Sequence, residues 1–239
     1  MQITKDNIVG ELVSLNYKAA DVFSQYGIDF CCAGNISLDR AASKHEVSVD
    51  ELVGKLEDVF SVKDVESDLI SRLPLDALID HIVENHHQYI RDNVNVVPQY
   101  VNKVAEVHGG RHPEMVEVKA LFDEACAELS SHIVKEEEIL FPYIKELVAA
   151  QKEGRKPAQA PFGSVGSPIE AMMAEHADEG ERFRQISELT NGYQLPLGGC
   201  TTFRVSLEKL KEFETDLHRH IHLENNILFI KALELEKSL

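Results

Sequence analysis

The chain has 239 residues, 44% of them hydrophobic, and a formal net charge of −17 with histidine counted as neutral. A field this acidic repels nucleic acid and anionic lipid, so neither is expected as a partner. We find no run of 18 apolar residues and no basic N-terminus leading into an apolar stretch, so we expect neither a membrane span nor secretion. The four cysteines include one adjacent pair, Cys31 and Cys32, which fits a reducing cytoplasm better than a disulfide framework.

Short helices are predicted in the first sixty residues. The stretch ELVSLNYKAADVFSQYG has apolar residues at helical spacing, and Gly27 ends it. The turn IDFCCAGN follows, and helical spacing resumes with Ser37 and Ser48 as N-caps. The polar segment 61–74 ends in Pro74 and is predicted to be a linker.

Four long amphipathic segments follow the linker, separated by turns or by loops rich in Gly and Pro. They run from about Leu75 to Val107, Glu114 to Ala150, Ile169 to Leu189, and Thr201 to Leu235. Pro98 is expected to kink or break the first of them. No run of period-two alternation indicates a strand. The predicted fold is all-α, with a small helical domain at 1–60, the linker at 61–74 and an up-down four-helix bundle at 75–239.

A repeated motif marks two of the long segments. HIVKEEEILF at 132–141 and HIHLENNILF at 220–229 share a His, a Glu four residues later and a closing Ile-Leu-Phe. Residues i and i+4 share a helix face, so His132 is expected beside Glu136, and His220 beside Glu224. Ile139 and Leu140 are expected on the same inward face. A buried carboxylate needs a cation or another partner, and imidazole with carboxylate suits divalent first-row metals.

The other two long segments should supply further imidazoles. His176 is the one histidine of the third segment. In the first segment the centre of the apolar stripe lies between His86 and His87, slightly nearer His86, so helical phase does not decide between them. His81 points away from the stripe. His108 has the right phase but lies 21 residues beyond His87, roughly 30 Å along a straight helix.

The positions of the histidines along the helix axes support a common metal site. His87 lies 23 residues before Gly110 and His132 lies 22 residues after it, so antiparallel helices would bring them level. His176 and His220 lie at less similar distances from the loop between them, and their levels along the helix axes differ by about 9 Å. A single tetrahedral ion needs four ligands, whereas four imidazoles and two carboxylates able to bridge suit two metal ions.

These motifs resemble the hemerythrin-like domain. The N-terminal DFCCAG, followed by LDRAA, is similar to the ScdA-type N-terminal domain. The two domains in this order resemble the RIC family, the YtfE/ScdA-like di-iron proteins associated with repair of iron-sulfur clusters. The resemblance spans nearly the whole chain, including LSSHIVKEEEILFP and HLENNILF.

The resemblance implies two iron ions joined by an oxo bridge. It selects His87 rather than His86 as the ligand from the first long segment. The implied ligands are His87, His132, Glu136, His176, His220 and Glu224. Cys31 and Cys32 match the paired cysteines of the family, for which a redox or metal-transfer role is favoured over two small buried side chains. Oxygen carriers of the hemerythrin type have a fifth histidine on the third helix, whereas this segment has only His176.

The function implied by the resemblance is repair of clusters damaged by nitric oxide or oxidative stress, by supplying iron. Nitric oxide reduction at the iron pair, and reversible oxygen or nitric oxide sensing, are the alternatives. The implied partners are damaged iron-sulfur proteins, with nitric oxide or oxygen as small ligands. A cytoplasmic location is expected, and the oligomeric state is left open, with a homodimer as one candidate.

Overall fold

A computed structural model describes residues 2–239, and its regular elements are helices, with one isolated antiparallel bridge between Ile8 and Ser37. The expected all-α fold is confirmed. The N-terminal part has five helices: α1 (Val9–Leu15), α2 (Ala19–Gln25), α3 (Leu38–Lys44), α4 (Val49–Phe60) and α5 (Val65–Ser71). Among the described residues, no helix combines the length and the apolar character needed to cross a membrane.

Local capping sets where these short helices begin. The Ser37 side chain accepts a hydrogen bond from the third residue of α3, and Ser48 does the same for α4, as predicted. Helix α5 lies inside the segment predicted as a linker. Asp64 caps it by accepting from the Ser67 backbone amide, and the Ser67 hydroxyl accepts from the Tyr17 backbone amide at 3.0 Å. The segment thus contains a helix and is bonded to the N-terminal helices.

The four long segments are helical runs. The first contains α6 (Leu75–Ile82), the π-helical turn π1 (Val83–His87), α7 (Gln88–Asn93) and α8 (Val97–His108). The second contains α9 (Glu114–Lys135), π2 (Glu136–Leu140) and α10 (Phe141–Glu153). The third is α11 (Gly166–Leu189), and the fourth contains α12 (Thr201–Leu223), π3 (Glu224–Leu228) and α13 (Phe229–Ser238).

The expected break near Pro98 lies just before that residue. The helix stops at Asn93, and Pro98 then occupies the first turn of α8, where its missing amide hydrogen costs nothing. A helix continuing through Pro98 would lack the hydrogen bond to the Val94 carbonyl, and the proline ring would clash with that carbonyl, which explains why the helix is interrupted before Pro98.

The chain divides into two compact units. The first comprises the chain up to Ile79 together with Ile144–Ala158 and Ile221–Leu239, and the second comprises Asp80–Tyr143 and Gln159–His220. The core of the second unit includes three stacked or edge-to-face rings, Phe122, Phe183 and Phe213. In the first unit the N-terminal helices bury side chains such as Leu12, Phe23, Leu38, Leu52 and Leu56.

Candidate metal centre

Each π turn carries one of the predicted ligands. The Phe141 amide donates to the Glu136 carbonyl and the Phe229 amide to the Glu224 carbonyl, each five residues back. The repeated motif thus gives the same backbone twice, with the glutamate as the first residue of the wider turn. His87 is the last residue of π1. Single π turns inside α-helices are frequently found at functional sites.

The structure corrects one expectation about the repeat. Ile139 was expected to face inward with Glu136, but it is 49% exposed, whereas Leu140 is 1% exposed. The π turn itself does not account for the exposure of Ile139, because the same turn recurs in π3. Ile227, the equivalent residue in π3, is buried.

The structure brings the six predicted metal ligands into two groups that share both glutamates. In each group every residue offers one ligand atom, and these atoms lie within 4.8 Å of one another. The groups are His87, Glu136, His220 and Glu224, and His132, Glu136, His176 and Glu224. All six residues are at most 2% exposed. Glu224 follows His220 by one turn of the same helical run.

The distances between donors fit two ions. His87 Nε2 and His220 Nε2 are 3.2 Å apart, and His132 Nε2 and His176 Nε2 are 3.1 Å apart. Two nitrogens that bind one ion at about 2.0–2.1 Å and a right angle would be about 3.0 Å apart. Each imidazole pair is therefore spaced like two ligands of one metal.

Glu136 joins the two groups through one oxygen. Its Oε2 atom is 3.3 Å from His87 Nε2 and 3.4 Å from His132 Nε2, and the side chain is fully buried. An atom in that place is suited to bridge two cations. A fully buried carboxylate among imidazoles is stabilised when positive charge lies between them. The donor set and its spacing thus fit a pair of first-row divalent ions.

Two outer carboxylates orient one imidazole of each group. Glu137 Oε1 lies 2.6 Å from His87 Nδ1, and Glu175 Oε2 lies 2.9 Å from His132 Nδ1. Each carboxylate accepts a hydrogen bond from Nδ1–H, which fixes the tautomer that turns the Nε2 lone pair to the centre. Arg91 donates to both oxygens of Glu137, and Lys135 donates to Glu175.

These cations keep the outer carboxylates charged. Burial acts to raise the pKa of Glu137, but hydrogen bonds from Arg91 and His87 outweigh it and lower the pKa. Burial also opposes ionisation of Glu175, and hydrogen bonds from Lys135 and His132 again lower its pKa. His87 and His132 therefore each face an ionised carboxylate, which accepts the hydrogen bond from Nδ1.

Glu137 differs from what helical phase predicts. Glu137 and Glu138 follow Glu136 by 100° and 200° on an ideal α-helix, which predicts that both turn to the flank or to solvent, whereas the Glu137 carboxylate contacts His87 from the neighbouring helical run. Helical phase describes one helix at a time, so it does not reveal a partner on the next. Glu175 likewise bonds to His132 on a different helical run, so its position next to His176 in the sequence does not signal this contact.

We expect Glu137→Gln to weaken metal binding about tenfold, because outer-shell partners of metal-bound histidines contribute on this scale. The amide can still accept from His87 Nδ1 but loses the charge that Arg91 pairs with. Glu138→Gln is the matched control, since Glu138 is exposed. Competition titration with a chelator measures the affinity, and equal affinities for the two variants would contradict the role of Glu137.

The remaining histidines of the first helical run lie outside both groups. His86 is buried, with Nδ1 2.9 Å from Asp216 Oδ1 and its ring stacked 5.8 Å from that of His220. His81 contacts Asn85 on its own helix. His108 Nε2 lies 3.3 Å from Cys200 Sγ.

The paired cysteines form a third group of potential ligands with Asp29. Asp29 Oδ1 accepts from the backbone amides of Cys31 and Cys32 at 3.0 and 2.9 Å, which holds the turn closed. The two Sγ atoms are 3.7 Å apart and are not joined by a disulfide bond. The hydrogen bond with Cys32, followed by burial, raises the pKa of the Cys31 thiol, so Cys31 stays protonated at neutral pH.

Comparison with known proteins gives a separate family match for the four long helical segments and for the N-terminal helices. Residues 78–232 match the model of the hemerythrin HHE cation binding domain, and residues 5–59 match ScdA_N, a domain of unknown function. The chain is 31% identical over 229 residues to the iron-sulfur cluster repair protein ScdA of Staphylococcus haemolyticus, covering 96% of this chain and 99% of the relative.

Relatives from other bacteria cover the chain equally well. The iron-sulfur cluster repair protein YtfE of Edwardsiella ictaluri is 36% identical over 229 residues, covering 96% of this chain and 97% of the relative. YtfE of Pectobacterium atrosepticum is 34% identical over 236 residues, covering 97% and 99%. With both domains matched in order and full-length relatives at this identity, the chain belongs to the RIC family of ScdA and YtfE proteins.

Proposed function

We propose that this chain binds two iron ions and repairs damaged iron-sulfur clusters by supplying iron to them. The observation that carries the proposal is the pair of His/Glu groups sharing Glu136 and Glu224. The names of the ScdA and YtfE relatives give the class of client, iron-sulfur proteins whose clusters have been damaged. Nitric oxide and oxidants are the expected sources of that damage, and the cytoplasm is the expected location.

The proposed ligands suit a protein that must both hold iron and give it up. His87 and His220 would bind one ion, His132 and His176 the other, and Glu136 and Glu224 would bridge them, with an oxo bridge completing the pair. Imidazole and carboxylate are harder donors than thiolate, so they hold iron less tightly than a cluster site made of cysteines. Transfer of iron from this centre to a cluster site with cysteine ligands is therefore thermodynamically favourable.

A second candidate function is reduction of nitric oxide, favoured by the adjacent thiols of Cys31 and Cys32, which form no disulfide. Two thiols can give two electrons and two protons, so that two molecules of nitric oxide yield nitrous oxide and water while the thiols become a disulfide. A thiol reductant would have to restore the pair after each cycle. Sensing without turnover has no comparable structural support.

The test of iron supply uses the full chain loaded with iron and an apo-protein that receives a cluster. We expect about two irons per chain and loss of iron in step with cluster formation, when sulfide is provided. The reference is a Glu136→Gln chain treated identically, in which delivery falls with the iron content. A single zinc per chain, or nitrous oxide formation over many turnovers without iron delivery, would contradict the proposal.

A further inference from the structure

Two asparagines directly after Glu224 donate hydrogen bonds to the turn that carries the paired cysteines. Asn225 Nδ2 lies 3.2 Å from the Cys31 carbonyl oxygen, and Asn226 Nδ2 lies 3.1 Å from the same oxygen. Asn226 Nδ2 also lies 3.3 Å from the Phe30 carbonyl oxygen. We refer to Asn225 and Asn226 as the asparagine pair. It joins a proposed metal ligand to a dithiol that is remote in sequence.

The surroundings of Asn226 leave its side chain little freedom. A Cβ atom at Gly10 would overlap its carboxamide, and one at Gly34 would lie 3.2 Å from its Oδ1. Asn226 Nδ2 is also 3.2 Å from His222 Nδ1, and Ser14 Oγ is 3.3 Å from His222 Nε2. The two glycines thus let α1 and the cysteine turn approach π3 closely enough for the bonds to form.

The other copy of the repeat shows that the His/Glu pattern does not require this pair. The equivalent positions after Glu136 are Glu137, which contacts His87, and the exposed Glu138. Neither equivalent glutamate can donate a hydrogen bond while it is charged. The asparagine pair is therefore specific to the copy that faces the dithiol.

We propose that the asparagine pair positions the Glu224 turn for iron, and that a disulfide between Cys31 and Cys32 releases the pair and loosens the iron. The inference rests on the proposed function and adds the regulation of its site. The Cys31 carbonyl belongs to the peptide bond that links the two cysteines. Closing the sulfurs from 3.7 Å to a bond of about 2.05 Å forms a ring that contains this peptide, so the carbonyl must reorient.

The oxidant is a low-molecular-weight disulfide. The thiolate of one cysteine attacks it, forming a mixed disulfide and releasing one thiol, and the second cysteine displaces the other thiol. Two electrons pass from the cysteine pair to the small disulfide, and its two sulfurs leave as thiols carrying the two protons. Iron would then be held while the thiol pool is reduced and released when the pool is oxidised, which is when clusters are damaged.

The experiment measures iron loss to a chelator from the iron-loaded full chain, before and after treatment with oxidised glutathione. A Cys200→Ser background is used, because Cys200 is an exposed thiol. We expect iron loss at least about tenfold faster after oxidation, the scale of outer-shell effects on metal binding. Asn226→Leu should lose iron at the fast rate in both states, and the double variant Cys31→Ser/Cys32→Ser at the slow rate in both. Glu138→Gln, the matched position of the other copy, should behave as the parent chain.

A second readout uses the iron-free chain. Amide hydrogen exchange across residues 224–229 should speed up when the disulfide forms and should already be fast in Asn226→Leu, while α9 stays unchanged. This measurement needs no iron and no client, and the parent chain alone gives a result if the variant fails to fold.

The outcomes separate the inference from the proposed function. Equal iron loss and equal exchange in the two thiol states would overturn the inference while leaving iron supply intact. Thiol-dependent iron loss without any delivery to an apo-cluster protein would support the inference and overturn the proposed function.

Discussion

Glu136→Gln is expected to lose most of its iron, lowering the content from about two ions per chain to less than one. The Glu136 carboxylate is fully buried, and its Oε2 lies within 3.3–3.4 Å of an imidazole nitrogen from each metal group. A carboxamide keeps the shape but removes the charge that offsets the repulsion of two cations. Glu224→Gln should act in the same way, because Glu224 also belongs to both groups.

Loss of one imidazole should do less damage than loss of either bridge. His176 belongs to one group only, and water can take the position that His176→Ala leaves open. Glu138→Gln serves as the control on the same turn. Glu137→Gln does not, because that side chain bonds to His87. Iron per chain and the spectrum of each variant are the measurements, and normal iron in Glu136→Gln would show that the His132–Glu136 pair is only a buried ion pair.

Helical periodicity predicts much of the fold and of the site, because the proposed metal ligands recur at the spacing of one helical turn. The repeated His-x-x-x-Glu motif places each pair on one face, and residue counts around Gly110 bring His87 and His132 to one level. Both follow from the rise and turn of a single helix. The same geometry predicts four long helices, and the proline itself predicts a kink or break at Pro98.

Contacts between helical runs lie beyond that reasoning. Periodicity does not reveal that Glu137 meets His87, that the asparagine pair meets the Cys31 carbonyl, or that the predicted linker folds as α5. The exposure of Ile139 also lies beyond a fixed period, because the equivalent Ile227 is buried in the same kind of turn. Each of these features depends on which helix lies beside which, and that depends on the whole core.

The choice between His86 and His87 leads to the last prediction. Both side chains are buried, so burial does not separate them. Their bonds do: His87 Nε2 lies 3.2 Å from His220 Nε2, whereas His86 is held through Nδ1 by Asp216. The π1 turn ends at His87 and aims this side chain, rather than the one before it, at the group formed with Glu136.

We expect His87→Ala to lose about half of the iron and His86→Ala to keep nearly all of it, because one ion would lose a direct ligand in the first case only. His86→Ala should instead lower the free energy of unfolding by about 1–3 kcal/mol, since Asp216 loses a buried hydrogen-bond partner. Metal analysis measures the first effect and denaturant unfolding of the iron-free chains the second. Iron loss in His86→Ala with full iron in His87→Ala would shift the ligand assignment in this helix by one residue.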